Sequence, residues 1–163
     1  MARFYQGVYK LQNPEKYAGN KAPIYRSSWE AKFDRFLDMN KNVVKWISEP
    51  SQMVIPYTLP DGSTHSYIPD YYVEMKLLDG SIRKFIVEVK PSKQSPFHSP
   101  PPKQPKKQTS KAMSNYRAAL KTYTINKFKW LAAQEWCKKR GIRFLVYTEI
   151  EAKGGFTPLK RKK

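Results

Sequence analysis

At 163 residues, 40% hydrophobic and 14% aromatic, the chain has the length and the material for one domain with one core. Its 31 Lys+Arg against 13 Asp+Glu leave a formal net charge of +18, far more than solubility needs, which points to a polyanionic partner: nucleic acid first, an anionic membrane surface second. One cysteine, Cys137, excludes an internal disulfide framework and a cysteine-built zinc site, and two histidines leave little for metal or triad chemistry, so an enzyme of this composition works with carboxylates and lysines.

The opening "MARFYQGVYKLQ" lacks the apolar stretch of a signal peptide, and no apolar run approaches the ~20 residues of a spanning helix. A reducing cytoplasm and no membrane partner are the expectation. Residues 1–24 are polar and broken by Asn13-Pro14 and Ala22-Pro23, and read as an arm that packs late or touches a partner. "YRSSWEAKFDRFLDMN" carries Trp29, Phe33, Phe36 and Leu37 on one helical face, and Ser27 with Glu30 fits a capping box at its start. "NVVKWISEP" and "QMVIPYT" read as strands. Asp61-Gly62 marks a hairpin, "THSYIPDYYVEMKLL" a third strand, and Asp79-Gly80 a second hairpin. "SIRKFIVEVK" is the fourth strand, with Phe85, Val87 and Val89 on one side and Lys84, Ile86, Glu88 and Lys90 on the other.

Residues 91–109 are proline-rich and carry Lys93, Lys103, Lys106 and Lys107 with no acid; they read as a long basic loop, mobile in the free protein. Helix resumes near Ser110, with a break or new start expected around "TYTIN". "INKFKWLAAQEWCKKRG" reads as a second strong helix with Trp130, Leu131, Gln134 and Cys137 along it and Gly141 as its stop. "IRFLVYTE" is a final strand, and residues 151–163 form a basic tail expected to be disordered until it meets phosphate. The order predicts an α/β domain over 25–150, a mixed sheet flanked by helices.

Acids are scarce, yet Asp70 and Glu88 sit in segments that read as buried strand. Counted from the Asp79-Gly80 turn, the two fall nearly opposite each other, so their carboxylates can converge. Without a cation such a pair repels, and one member tends to hold a proton. A hard cation such as Mg²⁺ takes a couple of carboxylates, with the Val89 carbonyl as a further ligand, and keeps positions for water and a phosphate oxygen. Lys90 would then position the attacking water or neutralise charge building on the phosphate. Taken alone, Asp70 after Pro69 also fits the start of a turn, and Glu88 with Lys90 fits the solvated face of an edge strand.

Pro69-Asp70 followed by Glu88-Val89-Lys90 resembles the PD-(D/E)xK nuclease superfamily. More narrowly, "NPEKYAGN", "YRSSWE", Trp46 to Glu49, "HSYIPDYYV", "VEVKP", "NKFKWLAAQEWC" and "FLVYTE" resemble the head completion nucleases of contractile-tailed phages. The resemblance implies a restriction-endonuclease-like core. It implies a divalent-metal-dependent endodeoxyribonuclease, with Mg²⁺ as cofactor or Mn²⁺ in its place, cutting double-stranded DNA. It places the activity late in phage head assembly, after packaging and before tail attachment, with head and portal proteins as partners. The location implied is the host cytoplasm or the head–neck region of the virion. Asp70, Glu88 and Lys90 carry over as the site and Glu30 as its helix carboxylate, a role that competes with capping of the Ser27 backbone. Lys129, on a face with Asn126, Trp130 and Ala133, is a further candidate at the scissile phosphate, and a solvated lysine is the other reading. Arg26 before a helix N-terminus, His65 and Tyr67 beside the Asp70 strand, and the loop lysines 93, 103, 106 and 107 are DNA-contact candidates. The alternatives to the nuclease are a non-catalytic DNA-binding or portal-plugging head protein and a nuclease for transposon-end or branched DNA.

Overall fold

The computed structural model describes residues 6–154. At its centre a four-stranded sheet runs in the order β3 (Val43–Ser48), β6 (Tyr71–Lys76), β7 (Ile82–Val89), β8 (Arg143–Tyr147). Three strands meander antiparallel and β8 joins β7 in parallel. A parallel neighbour needs a crossover, supplied here by the proline-rich loop and the long helix α2 (Ser110–Lys138). Helix α1 (Ser28–Met39) packs on one face of the sheet, where Phe33 and Leu37 meet Tyr71, Val73, Phe85 and Val87. On the other face Ala133 and Cys137 of α2 meet Tyr72 and Ile86. β7 is therefore covered on both faces, and all five residues from Phe85 to Val89 are buried. A register shift between Val43 and Lys45 lets both Val43 and Trp46 enter the α1 side of the core.

Asp79-Gly80 forms the hairpin between β6 and β7 as expected: Leu77 N–H bonds Ser81 O at 2.8 Å, and Gly80 takes φ +84°, which glycine adopts without steric cost. The expected third strand is two strands. Its first part, β5 (Thr64–Tyr67), pairs with β4 (Ile55–Thr58) in a separate ribbon against α2. Its second part is β6, and the break falls at Ile68-Pro69-Asp70, where proline has no N–H for a ladder.

The break expected at "TYTIN" does not occur. α2 runs unbroken through it over 29 residues, since β-branched residues cost little in a helix that tertiary contacts hold. Tyr123 Oη donates to Ser99 O at 2.8 Å and Asn126 Nδ2 to Gln94 O at 3.1 Å. Its buried face is Tyr123, Asn126, Trp130, Ala133 and Cys137; Leu131 is 43% exposed and Gln134 is exposed, so neither lies on the expected face. The same bonds fasten the first half of the basic loop. Ser92 N–H reaches Glu149 at 2.9 Å, His98 pairs with Glu151, and Phe97 packs on Trp130, so residues 91–99 are tied down rather than loose. Among the described residues no helix is long and apolar enough to cross a membrane.

The arm is also fastened. Strands β1 (Gly7–Val8) and β2 (Ile24–Tyr25) pair with each other. Asp38 accepts from Gln12 N, Asn13 N and Tyr9 Oη at 2.7, 2.9 and 2.8 Å, and Lys16 Nζ bonds the terminal carbonyls Asp38 O and Asn40 O of α1. Helix α3 (Glu149–Gly154) extends into the expected tail, and residues 155–163 lie outside the described residues.

Candidate active site

The pairing of Tyr71 with Val87 sets Asp70 opposite Glu88, one residue before β6 begins. Val89 N–H donates to Asp70 Oδ2 at 2.9 Å and holds that carboxylate at the β7 ladder. Glu88 is 2% exposed and lies on the central strand, which rules out the solvated-edge reading. Burial drives its carboxyl well above the usual range, the Asp70 charge adds to that, and the charges of Lys129 and Lys90 act the other way. Glu88 Oε1 is buried without a hydrogen-bond partner. A desolvated carboxylate with an orphan oxygen beside a second carboxylate calls for a proton or a cation. The donor set is oxygen only, which suits Mg²⁺ or Mn²⁺, and Asp70, Glu88 and the Val89 carbonyl are the groups available to hold one.

Glu30 sits one turn into α1. Its N–H bonds the capping Ser27 Oγ at 3.1 Å, and its Oε2 accepts from Arg26 N at 2.9 Å, one residue earlier than the expected Ser27 amide. Burial first, and then the Asp70 charge, raise its carboxyl, while Lys90 lowers it. Glu30 thus shares the field of Asp70 and Lys90. Among the described residues, however, no three His, Cys, Asp or Glu side chains close on one point, so Glu30 does not join the pair as a third ligand in this arrangement. Lys90 follows the last residue of β7 and its N–H bonds Tyr147 O at 3.1 Å. Lys129 reaches from α2 on the opposite face, its Nζ 4.3 Å from the centre of the Tyr67 ring.

The remaining candidates scatter around this centre. His65 stacks on Tyr57 at 5.5 Å and meets Ser63 Oγ at 2.9 Å, so the ribbon positions it. Lys93, Lys103, Lys106 and Lys107 are exposed on the loop. Arg26 pairs with Glu49 through Nε–Oε1 at 2.9 Å and Nη2–Oε2 at 3.4 Å.

Two groups, Glu49 and Asp34, escaped the sequence reading, and a third, Tyr67, was read there only as a DNA contact. Glu49 has φ +48°, and its N–H bonds Asp70 O at 2.8 Å. Tyr67 Oη is buried without a partner; burial raises its phenol most, and the Glu88 charge adds to that. Asp34, one turn beyond Glu30, accepts from Tyr71 Oη at 2.6 Å, and burial pushes its carboxyl up to about 7. Glu49 carried the one legible signal, an acid between a strand end and Pro50. Nothing local distinguishes Asp34 from the solvated acids of an amphipathic helix.

A family model described as the TnsA-like endonuclease N terminal matches residues 40–149. The chain is 35% identical over 147 residues, 89% of its length and 91% of the relative's, to the head completion nuclease of Enterobacteria phage T4. No solved structure matches the chain.

Proposed function

The chain belongs to the TnsA-like endonuclease N-terminal family and is related across most of its length to a phage head completion nuclease, and from that premise we propose that it is a divalent-metal-dependent DNA endonuclease of phage head completion. The observation that carries the chemistry is the Asp70–Glu88 pair, one member pinned by a backbone amide and the other buried with an orphan oxygen.

Each residue has a distinct task. The Val89 amide orients Asp70, and burial removes water from Glu88, so the pair favours a cation over two separate charges. A bound Mg²⁺ or Mn²⁺ supplies positive charge against the phosphate oxygens. Lys90, at the end of β7, balances the charge that accumulates on the phosphate as it is attacked. Lys129 does the same from the α2 face, and the Tyr67 ring limits where its ammonium can go. Glu30 acts on the Asp70 side, with one oxygen held by the Arg26 amide and the other available to orient a water. Arg26 and the exposed loop lysines grip backbone phosphates without reading bases, so cutting has little sequence preference. The substrate is packaged double-stranded DNA at the filled head, in the host cytoplasm, before the tail joins.

The test is plasmid nicking with Mg²⁺ or Mn²⁺. Wild type cuts, while Asp70→Ala and Glu88→Ala lose at least about a hundredfold in rate yet still bind DNA. Cleavage that survives both substitutions refutes the assignment. In a phage lacking this gene, filled heads without tails should accumulate, and wild type but not Asp70→Ala should restore joining. Rescue by the cleavage-dead variant would instead establish a structural plug.

A further inference from the structure

A cavity of about 450 Å³ opens beside Asp70, and neither the carboxylate pair nor the lysines account for it. One wall is the arm from Tyr17 to Ala22; the other is the end of β3 and the turn after it, with Ile68 and Asp70 closing the side nearest the site. Its size falls within the range of small-molecule sites. Its surface is mixed: Ile47, Ile68 and Tyr17 are apolar, and Asn20 and Gln52 are amides. Two carboxylates, Glu49 and Asp70, and one ammonium, Lys21, also line it, and Glu49 is paired with Arg26, so the wall has no excess of charge to draw in an ionic ligand. A neutral, flat ring with amino and carbonyl edges suits this mixed lining: apolar faces for the ring, and amides, a carboxylate and an ammonium for its edge.

A second mark lies at the rim. Glu49 holds φ +48° immediately before Pro50, although a side chain and a following proline both disfavour that conformation. Its N–H bond to Asp70 O and its pairing with Arg26 hold it there. Strain of this kind persists where the surroundings impose it, commonly at ligand sites. It turns the chain at the mouth of the cavity and ties that mouth to the Asp70 backbone.

Resting on the nuclease reading, we infer that this cavity receives one extrahelical base of the strand being cut. The shared Asp70 wall places the base beside the phosphate to which it is covalently linked. A stacked, paired base cannot enter, and extrusion is easiest where the base is unpaired or mismatched. The chain therefore cuts fastest beside such a nucleotide.

The test compares a matched duplex with one carrying a single unpaired nucleotide. Wild type should cut the second about tenfold faster, by kcat/KM. Ala22→Leu and Ser51→Leu, singly and together, fill the cavity from two exposed wall positions without adding a stacking surface. They should bring that ratio to about one and leave matched-duplex cutting unchanged. In a separate arm without divalent cation, 2-aminopurine at the unpaired position should be shielded from acrylamide quenching by wild type and not by the filled variants. A preference that is absent, or that persists in the filled variants, overturns the inference, as does equal shielding. If wild type cuts nothing, the nuclease reading fails, and the shielding arm still decides the cavity.

Discussion

Asp34 and Glu88 show burial as the largest force moving a carboxyl. For Asp34, pushed up to about 7 by burial, the folded state holds its proton where the unfolded chain has released it. Stability linked to this group is therefore highest at acid pH, falls as pH rises from about 4 to about 7, and is level above that. Asp34→Asn keeps an acceptor for Tyr71 and cannot ionise. Its thermal midpoint should exceed wild type by an increment that grows over that window and then stays constant; an increment independent of pH would refute the assignment. Glu88 makes the matching prediction for the cation. Mg²⁺ at about 100 times its Kd should raise wild-type stability by about 2.7 kcal/mol. The same addition should leave Glu88→Gln and Asp70→Asn unmoved, which calorimetry without DNA would read. Glu49 adds a backbone test: at φ +48° the usual order reverses, and Glu49→Gly should be more stable than Glu49→Ala by about 1 kcal/mol.

The hairpin of β6 and β7 was legible because two local codes agree. Asp79-Gly80 dictates the turn, and the alternation in "SIRKFIVEVK" dictates the faces, so the pairing of Asp70 with Glu88 follows by counting. The same codes do not show a strand changing sheets at Pro69 or a helix persisting through "TYTIN". At Pro69 the proline marks a break but not which sheet each half joins, and at "TYTIN" the local preference is weak, so packing against α2 or the basic loop decides. The arm is the clearest such case. Its sequence is polar and proline-broken, yet Asp38 draws two of its amides and Tyr9 Oη into one acceptor. Asp38→Ala leaves those donors unpaired and should cost about 2–3 kcal/mol in denaturant unfolding, whereas a merely draped arm predicts a loss near zero.

Across the whole molecule, the net charge of +18 and the exposed loop lysines predict binding that is strongly salt-dependent. If ~6–10 phosphates are neutralised, affinity should fall by about 10³–10⁵ between 50 and 200 mM salt. Replacing Lys103, Lys106 and Lys107 together by Ala should reduce the slope of log K against log salt by about 3. A slope unchanged by that triple substitution would move the DNA path off the loop. The Asp70–Glu88 pair lies where the sheet layers end, and charges from both faces act on it: Glu30 from α1, Lys129 from α2, and Lys90 from the end of β7.

From the amino-acid sequence alone came the attraction to a polyanion, the β6–β7 hairpin and the opposition of its two acids. Charge sums without regard to fold, and turn and alternation codes act over a few residues. Only the tertiary structure decided that Lys129 faces Glu88, that Arg26 is held by Glu49, that the arm walls a cavity beside Asp70, and that the basic loop begins fastened. Each of these joins segments far apart in the chain. A lysine or acid that packing turns inward has the same local sequence signature as one left in water.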